Sequence, residues 1–264
     1  MSRIDGKTVW ITGASSGIGE ELAYQLAAKN CTLILSSRRE EVLEQVKNNC
    51  SNHKKIYILP FDMTDFESMN AKAKEVHSLV GKIDILINNA GISQRSLIAE
   101  TDFSVYQKMI DVDYLGVVAL TKAILPHFIK NKSGHFVTVS SLMGRFSSPY
   151  RSGYCGAKHA LHGFFDALRM EHSKEQIAVT MVCPGFVNTN IAKNALVTDG
   201  SAQNENDYAT ANGISAKQLC QKMIKAIEKE KYEVYIGGWE TIGVLVKRFF
   251  PKLLHKLVLK SKVK

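Results

Sequence analysis

The stretch Lys7-Thr8-Val9-Trp10-Ile11-Thr12-Gly13-Ala14-Ser15-Ser16-Gly17-Ile18-Gly19 decides how this chain reads. Lys7 to Ile11 form a short, largely apolar strand. A glycine-rich turn follows, and then Ile18, Leu22, Leu26 and Ala27 recur at helical spacing. Strand, turn and helix in this order place an anion at a helix N-terminus, where unpaired N–H groups and the helix dipole favour a phosphate. The spacing is G-x-x-x-G-x-G rather than G-x-G-x-x-G. Gly13 is expected to permit the tight turn, Gly17 the close approach of a pyrophosphate, and Gly19 the packing of helix on strand. By itself such a stretch is equally a bare turn.

Outward from it, Cys31-Thr32-Leu33-Ile34-Leu35-Ser36 is a second strand running into Ser37-Arg38-Arg39-Glu40. An acidic residue there would hydrogen-bond adenosine ribose hydroxyls. Two arginines suit a 2′-phosphate, which they grip through several N–H donors, so NADP(H) is favoured over NAD(H). The plain alternative is two solvated arginines opening a helix. Residues 56–62 read as strand three, with Asp62 placed to receive an adenine amino group. Further strands are expected near 84–88, 135–139, 177–182 and 232–236, with a long helix over 102–130. Repeated β-α-β units imply an α/β fold: one doubly wound, Rossmann-type domain with a parallel sheet of about seven strands.

The fifth strand delivers Ser140 and Ser141, and the following helix, running to about residue 171, carries Tyr154 and Lys158. At i,i+4 the phenol and the ammonium share a face. A phenol with a pKa of about 10 is a poor proton shuttle at neutral pH, and a neighbouring cation favours phenolate. Ser141 supplies a donor for an oxygen whose charge changes during reaction. A lone Y-x-x-x-K is more often a buried tyrosine beside a solvated lysine; the glycine turn is what makes it a site.

Composition bounds the rest. The 264 residues are 45% hydrophobic and carry a net charge of +9, seven units of it after Glu240, where no acidic residue follows. The body is therefore near neutral, and nothing suggests a basic groove with stacking aromatics for nucleic acid. Five cysteines without C-x-x-C spacing read as reduced thiols, with no disulfide frame and no metal site expected. The first strand begins within a few residues, so no leader is expected, and no spanning helix is expected either. The expected location is cytoplasmic. Residues 1–240 form the dinucleotide-binding and catalytic domain, in which the polar segment 193–213 is a mobile substrate lid or a plain surface insertion. Residues 241–264 form a basic amphipathic tail, whose second helix Pro251 begins or kinks. The tail can touch an anionic membrane surface peripherally, pack on a subunit, or cap the substrate pocket. That pocket draws on 92–98, 143–153 and 186–214, where Ser93, Arg95, Arg145 and Phe146 face either substrate or solvent.

Taken together, Thr12-Gly13-Ala14-Ser15-Ser16-Gly17-Ile18-Gly19, Asn88-Asn89-Ala90-Gly91, Ser141, Tyr154, Lys158 and Pro184-Gly185 with Thr189 resemble the short-chain dehydrogenase/reductase family over about residues 5–240. The thirteen-residue step from Ser141 to Tyr154 matches the family pattern and selects Ser141 over Ser140. Gly153-Tyr154-Cys155-Gly156-Ala157-Lys158-His159-Ala160-Leu161, the stretch 194–201 and Phe249-Phe250-Pro251-Lys252-Leu253 narrow the resemblance to the dehydrogenase/reductase member 7 branch, near the 11β-hydroxysteroid dehydrogenases. Relatives there often have an N-terminal membrane anchor, which this chain is expected to lack.

The resemblance implies an NADP(H)-dependent oxidoreductase interconverting a secondary alcohol and a ketone or aldehyde. Tyr154 would be the acid/base, Ser141 the holder of the substrate oxygen, and Lys158 the group that tunes Tyr154 and binds the nicotinamide ribose. Ser15 and Ile18 would contact phosphates, Arg38 the 2′-phosphate, Asp62 the adenine and Asn89 a ribose, with Val187 and Thr189 on the carboxamide. A small-molecule substrate and a homodimer or homotetramer through the 102 and 154 helices are also implied. One position departs: Asp113 stands where the family usually has Asn ordering a proton-relay water. Asp113 can serve through its backbone carbonyl, favour the Lys158 ammonium through its charge, or simply be tolerated. The rivals are a nucleotide-binding sensor and a membrane-surface scaffold, both with weak turnover.

Overall fold

The computed structural model describes residues 4–261, so Lys262 and Lys264 of the tail lie outside the described residues. Its first half runs β1 Thr8–Thr12, α1 Gly17–Ala27, β2 Thr32–Ser36, α2 Glu40–Asn49, β3 Ile56–Ile58, α3 Met69–Val80 and β4 Ile85–Asn88. Next, α4 Phe103–Ile110 passes through a π turn at Asp111–Leu115 into α5 Gly116–Asn131, followed by β5 Gly134–Val139, α6 Ser152–Glu171 and β6 Ile177–Pro184. The short strands β7 Val187–Asn188 and β8 Ile214–Ser215 pair around the one-turn α7 Tyr208–Ala211. Then come α8 Ala216–Glu228, β9 Glu233–Ile236, α9 Gly243–Phe249 and α10 Pro251–Lys260.

Seven strands form one parallel sheet in the order β3-β2-β1-β4-β5-β6-β9, as the repeated β-α-β pattern requires. Side chains alternate across a strand, so each strand feeds two cores. Val9, Ile11, Leu33 and Leu35 pack with Leu22 and Leu26 of α1 and Leu219 and Met223 of α8. Trp10, Ile34, Leu86 and Phe136 face the other way, against Leu120, Ile124 and Phe128 of α5 and Phe165 of α6. Each such side chain contributes about 1.5–3 kcal/mol by leaving water. Strand order reverses between β1 and β4, and ligands in such sheets bind beyond the carboxyl ends at that switch point.

Three local differences from the sequence reading have physical causes. Strand three stops at Ile58, where the fixed φ of Pro60 takes the chain out of regular strand geometry. The missing Pro60 N–H faces the open edge of the sheet, and Leu59 and Phe61 still bond the Leu35 and Ser37 carbonyls. The long helix is interrupted by its π turn, which swings Asp113 to 0% exposure. By length and composition the helical stretch Phe103–Asn131 is also apolar enough to cross a membrane, where no such span is expected from sequence. Its Val105, Met109, Val117 and Leu120 are buried in the folded core, which accounts for that composition.

Candidate active site

The glycine turn is laced to the end of β4. Thr12 Oγ1 accepts the N–H groups of Asn89 and Ala90 at 3.0 and 3.1 Å. The Asn89 side-chain amide donates to the Thr12 and Gly13 carbonyls at 3.0 and 3.3 Å. Gly13 and Gly17 sit at φ +65° and +59°, the left-handed region that favours glycine. A Cβ on Gly13 would meet Ala90 Cα at 2.8 Å, and one on Gly19 would lie 2.3 Å from the Gly13 carbonyl oxygen. The N-cap residue of α1, Ser16, makes no side-chain cap bond, so the helix's first N–H groups have no side-chain acceptor there.

Beyond β2, Arg39 reaches back to the turn and donates from a terminal nitrogen to Ser15 Oγ at 2.9 Å. Arg38 instead pairs with Asp62 at 3.6 Å, on the exposed rim. Asp62 Oδ1 also accepts from the Thr64 N–H and hydroxyl, each at 2.9 Å. Burial would raise the Asp62 carboxyl, but the Thr64 bonds and Arg38 outweigh it and hold it below its ordinary value. Thr12, Gly13, Ser15, Gly17, Arg38, Arg39, Asp62 and Asn89 line one cleft of about 1370 Å³, together with Ile18, Val187 and Thr189, whereas Gly19 lies behind the turn and does not border it. That volume exceeds the usual range for one small ligand and leaves room for a dinucleotide with a second molecule.

Ser141, Tyr154 and Lys158 line the same cleft. The first residue past β5, Ser140, turns inward and is 3% exposed, its hydroxyl bonded to His162 Nε2 at 3.0 Å and the Lys158 carbonyl at 3.3 Å. Ser141 is left on the cleft side, accepting only the Met143 N–H at 3.1 Å. Lys158 Nζ lies 5.6 Å from the Tyr154 ring centroid and donates to the Val139 carbonyl at 3.3 Å. It also lies 3.3 Å from Asp113 Oδ2, while Asp113 Oδ1 accepts the Ile92 N–H at 2.8 Å. Burial pushes the Asp113 carboxyl up, with Lys158 pulling against it. Burial alone would lower Lys158, but Asp113 and Tyr154 together raise it. Both groups thus hold a proton more tightly than in water.

The other wall contains the polar segment 193–213, and it is strapped down. Leu196 bridges Gln94, and the Arg95 N–H bonds the Leu196 carbonyl at 2.8 Å. Asp207 lies between two buried guanidiniums, Arg95 at 2.5 Å and Arg151 at 3.1 Å. Burial and the neighbouring Arg95 lower Arg151 to about 10. Asp207 is held below its ordinary value, since Arg95 and Arg151 outweigh the effect of burial. Of the four residues named for the pocket, Ser93, Arg95 and Phe146 border the cleft, although Arg95 is engaged by Asp207. Arg145 does not; it forms a two-pronged ion pair with Glu233 of β9. His162, Cys183 and Glu233 gather behind Ser140 with ligand-type atoms within 4.8 Å. Arg145 already occupies that carboxylate, so the cluster is an ion-pair and hydrogen-bond network. Arg151 and Asp207 are the site residues the sequence reading missed, and neither carried a local signal. Of the Arg38-Arg39 doublet read as gripping a 2′-phosphate, the structure fixes Arg39 on the glycine turn and leaves Arg38 at the rim.

A dinucleotide-sized cleft at a strand switch point, lined by Ser141, Tyr154 and Lys158, is the arrangement of the nicotinamide-dependent oxidoreductases of the doubly wound class. The chain belongs to the short-chain dehydrogenase/reductase family: the short chain dehydrogenase profile matches residues 7–199. It is 44% identical over 235 residues to human dehydrogenase/reductase SDR family member 7, covering 87% of this chain and 69% of that protein. It is 40% identical over 263 residues to member 7B of Xenopus laevis, covering 97% and 81%. Among solved structures, a short-chain dehydrogenase from Streptomyces avermitilis superposes with a TM-score of 0.81 at 26% identity, covering 96% of both chains. A Burkholderia phymatum family member in complex with NAD shares the fold at TM-score 0.84 and 21% identity, over 100% and 99% of the two chains.

Proposed function

We propose that this oxidoreductase interconverts a secondary alcohol and a ketone or aldehyde, using NADP(H) in preference to NAD(H). The carrying observation is that Tyr154, Ser141 and Lys158 line one cleft with the glycine turn. The residues fit a dinucleotide: a Cβ at Gly13 or Gly19 would obstruct the turn, and the N-cap of α1 has no side-chain cap bond. Ser15, Gly17 and Ile18 would cradle the pyrophosphate, with Gly13 and Gly19 shaping the turn behind it and Asn89 fixing that turn. Asp62 would lie near the adenine, and Val187 and Thr189 near the carboxamide. When bound, the nicotinamide supplies or accepts the hydride.

The protein's own residues manage the oxygen and its proton. Ser141 holds the substrate oxygen from the cleft side, and Tyr154 gives or takes the proton on it. Lys158 places a positive charge beside the phenol, and Asp113 keeps that charge in place. Two arginines at the end of β2 support the 2′-phosphate reading: Arg38 at the rim and Arg39 fixed on Ser15. The five cysteines are buried and unpaired, as a reducing compartment such as the cytoplasm would leave them. Gly156 and Gly163 of α6 have open space where a Cβ would stand, which suits a homodimer or homotetramer through that helix.

NADPH and NADH turnover with a carbonyl panel tests the reading. NADPH should have the higher kcat/KM, and Arg39→Ala should lose about 10–100-fold with NADPH while NADH turnover changes little. Equal use of the two cofactors would refute the preference.

A further inference from the structure

We propose that α9 and α10 dock on an anionic lipid bilayer and present the mouth of the cleft to it. Each helix has one apolar stripe facing in and one facing out. Inward, Val246, Leu254 and Val258 pack on Leu142, Phe146 and Cys183. Outward, Trp239, Ile242, Leu245, Phe249, Phe250 and Leu253 are each at least 48% exposed. Trp239, Phe249 and Phe250 alone leave roughly 400 Å² of aromatic surface in water. That is as much as a soluble monomer's largest apolar patch usually amounts to, before the aliphatic residues are added. Phe249 and Phe250 sit at the elbow where Pro251 begins the second helix.

Charge selects the occupant. Lys247, Arg248, Lys252, Lys256 and Lys260 flank the apolar stripe, and no acidic residue follows Glu240. A second copy of this face would set like charges against each other. An anionic headgroup layer accepts the lysines while its acyl boundary takes the aromatics.

The docking face adjoins the cleft. Ile242, Leu257 and Lys260 border it, so apolar molecules dissolved in the bilayer reach the site without crossing bulk water. The root of the tail is fixed to the turn after β6. Glu240 Oε1 accepts the Phe186 N–H at 3.2 Å and the Gly238 N–H at 3.0 Å. This entry route rests on the oxidoreductase reading of the cleft; the docking itself does not.

The test sediments the full chain with phosphatidylcholine vesicles made with and without phosphatidylserine. It compares the wild type with the triple variant Leu245→Glu, Phe249→Glu, Phe250→Glu, whose positions lie outside the cleft wall. Wild type should pellet with the anionic vesicles and release in high salt, and the variant should bind at least about tenfold more weakly. Both should turn over a water-soluble ketone equally, while a long-chain ketone held in vesicles is reduced several-fold faster by wild type. A second variant, Lys247→Glu, Lys252→Glu, Lys256→Glu, guards against misfolding of the first and should also stay in the supernatant. Equal vesicle binding by wild type and both variants overturns the proposal. So does a wild type that ignores vesicles but forms a dimer the triple variant cannot. Vesicle binding without any turnover supports the docking and contradicts the oxidoreductase reading.

Discussion

Lys158 Nζ and Asp113 Oδ2 lie 3.3 Å apart with side chains only 5% and 0% exposed, so the lysine at the centre of the site has a fully buried counter-charge. A water-ordering amide, the usual group at this position, would be neutral. The carboxylate reaches Lys158 because the π turn rotates it inward, and Ile92 fixes its other oxygen.

Asp113→Asn removes the interaction that raises Lys158. The ammonium then gives up its proton at lower pH, and the alkaline limb of the pH–rate profile moves towards neutrality. The stability signs follow from the same shifts. Both native groups bind protons more tightly than their unfolded counterparts, so the wild type loses stability as pH rises above about 4 through the raised Asp113 pKa. It loses more above about 10.4 as pH passes the raised Lys158 pKa. The variant lacks the first of these losses. Urea unfolding from acid to neutral pH should therefore show a smaller decline for the variant. Superimposable profiles in both experiments would assign Asp113 no electrostatic role.

Ser140 and Ser141 should separate cleanly. Ser141→Ala removes the cleft hydroxyl and should lower kcat by about 10²–10³ with little change in melting temperature. Ser140→Ala breaks the bonds to His162 and the Lys158 carbonyl, and should destabilise by about 1–2 kcal/mol with kcat largely kept. The reverse pattern would mean that the hydroxyl assignment is wrong.

Asp207→Asn leaves two buried guanidiniums without their shared carboxylate, which should destabilise by about 3–5 kcal/mol. Because the native carboxyl is held below its ordinary value, its contribution is present above about pH 4 and fades as pH falls through the lowered pKa. The difference between wild type and variant should therefore shrink in acid. Limited proteolysis should cut within 193–213 faster in the variant; unchanged cleavage would show that the triad does not hold the strap.

Residues whose chemistry is local in sequence were legible. The glycine turn, the Ser141 step and the Tyr154–Lys158 pair each occupy a single element or neighbouring ones, and the parallel sheet follows from repeated apolar strands. What stayed hidden depends on distant partners or backbone phase. Asp207 meets Arg95 across 112 positions, and Arg145 meets Glu233 across 88. The π turn that buries Asp113 leaves no periodic trace, since the apolar spacing on either side still reads as one helix. The polar segment 193–213 reads as a lid by composition, but its fastening by Asp207 is visible only in three dimensions.

The most direct test of the central claim is turnover of NADPH with a carbonyl panel by wild type and Tyr154→Phe, alongside NADPH affinity by fluorescence. Wild type should reduce at least one carbonyl, and the variant should fall by about 10²–10⁴ in kcat with NADPH affinity preserved. A Tyr154→Phe enzyme as fast as wild type on the same carbonyl would contradict the account.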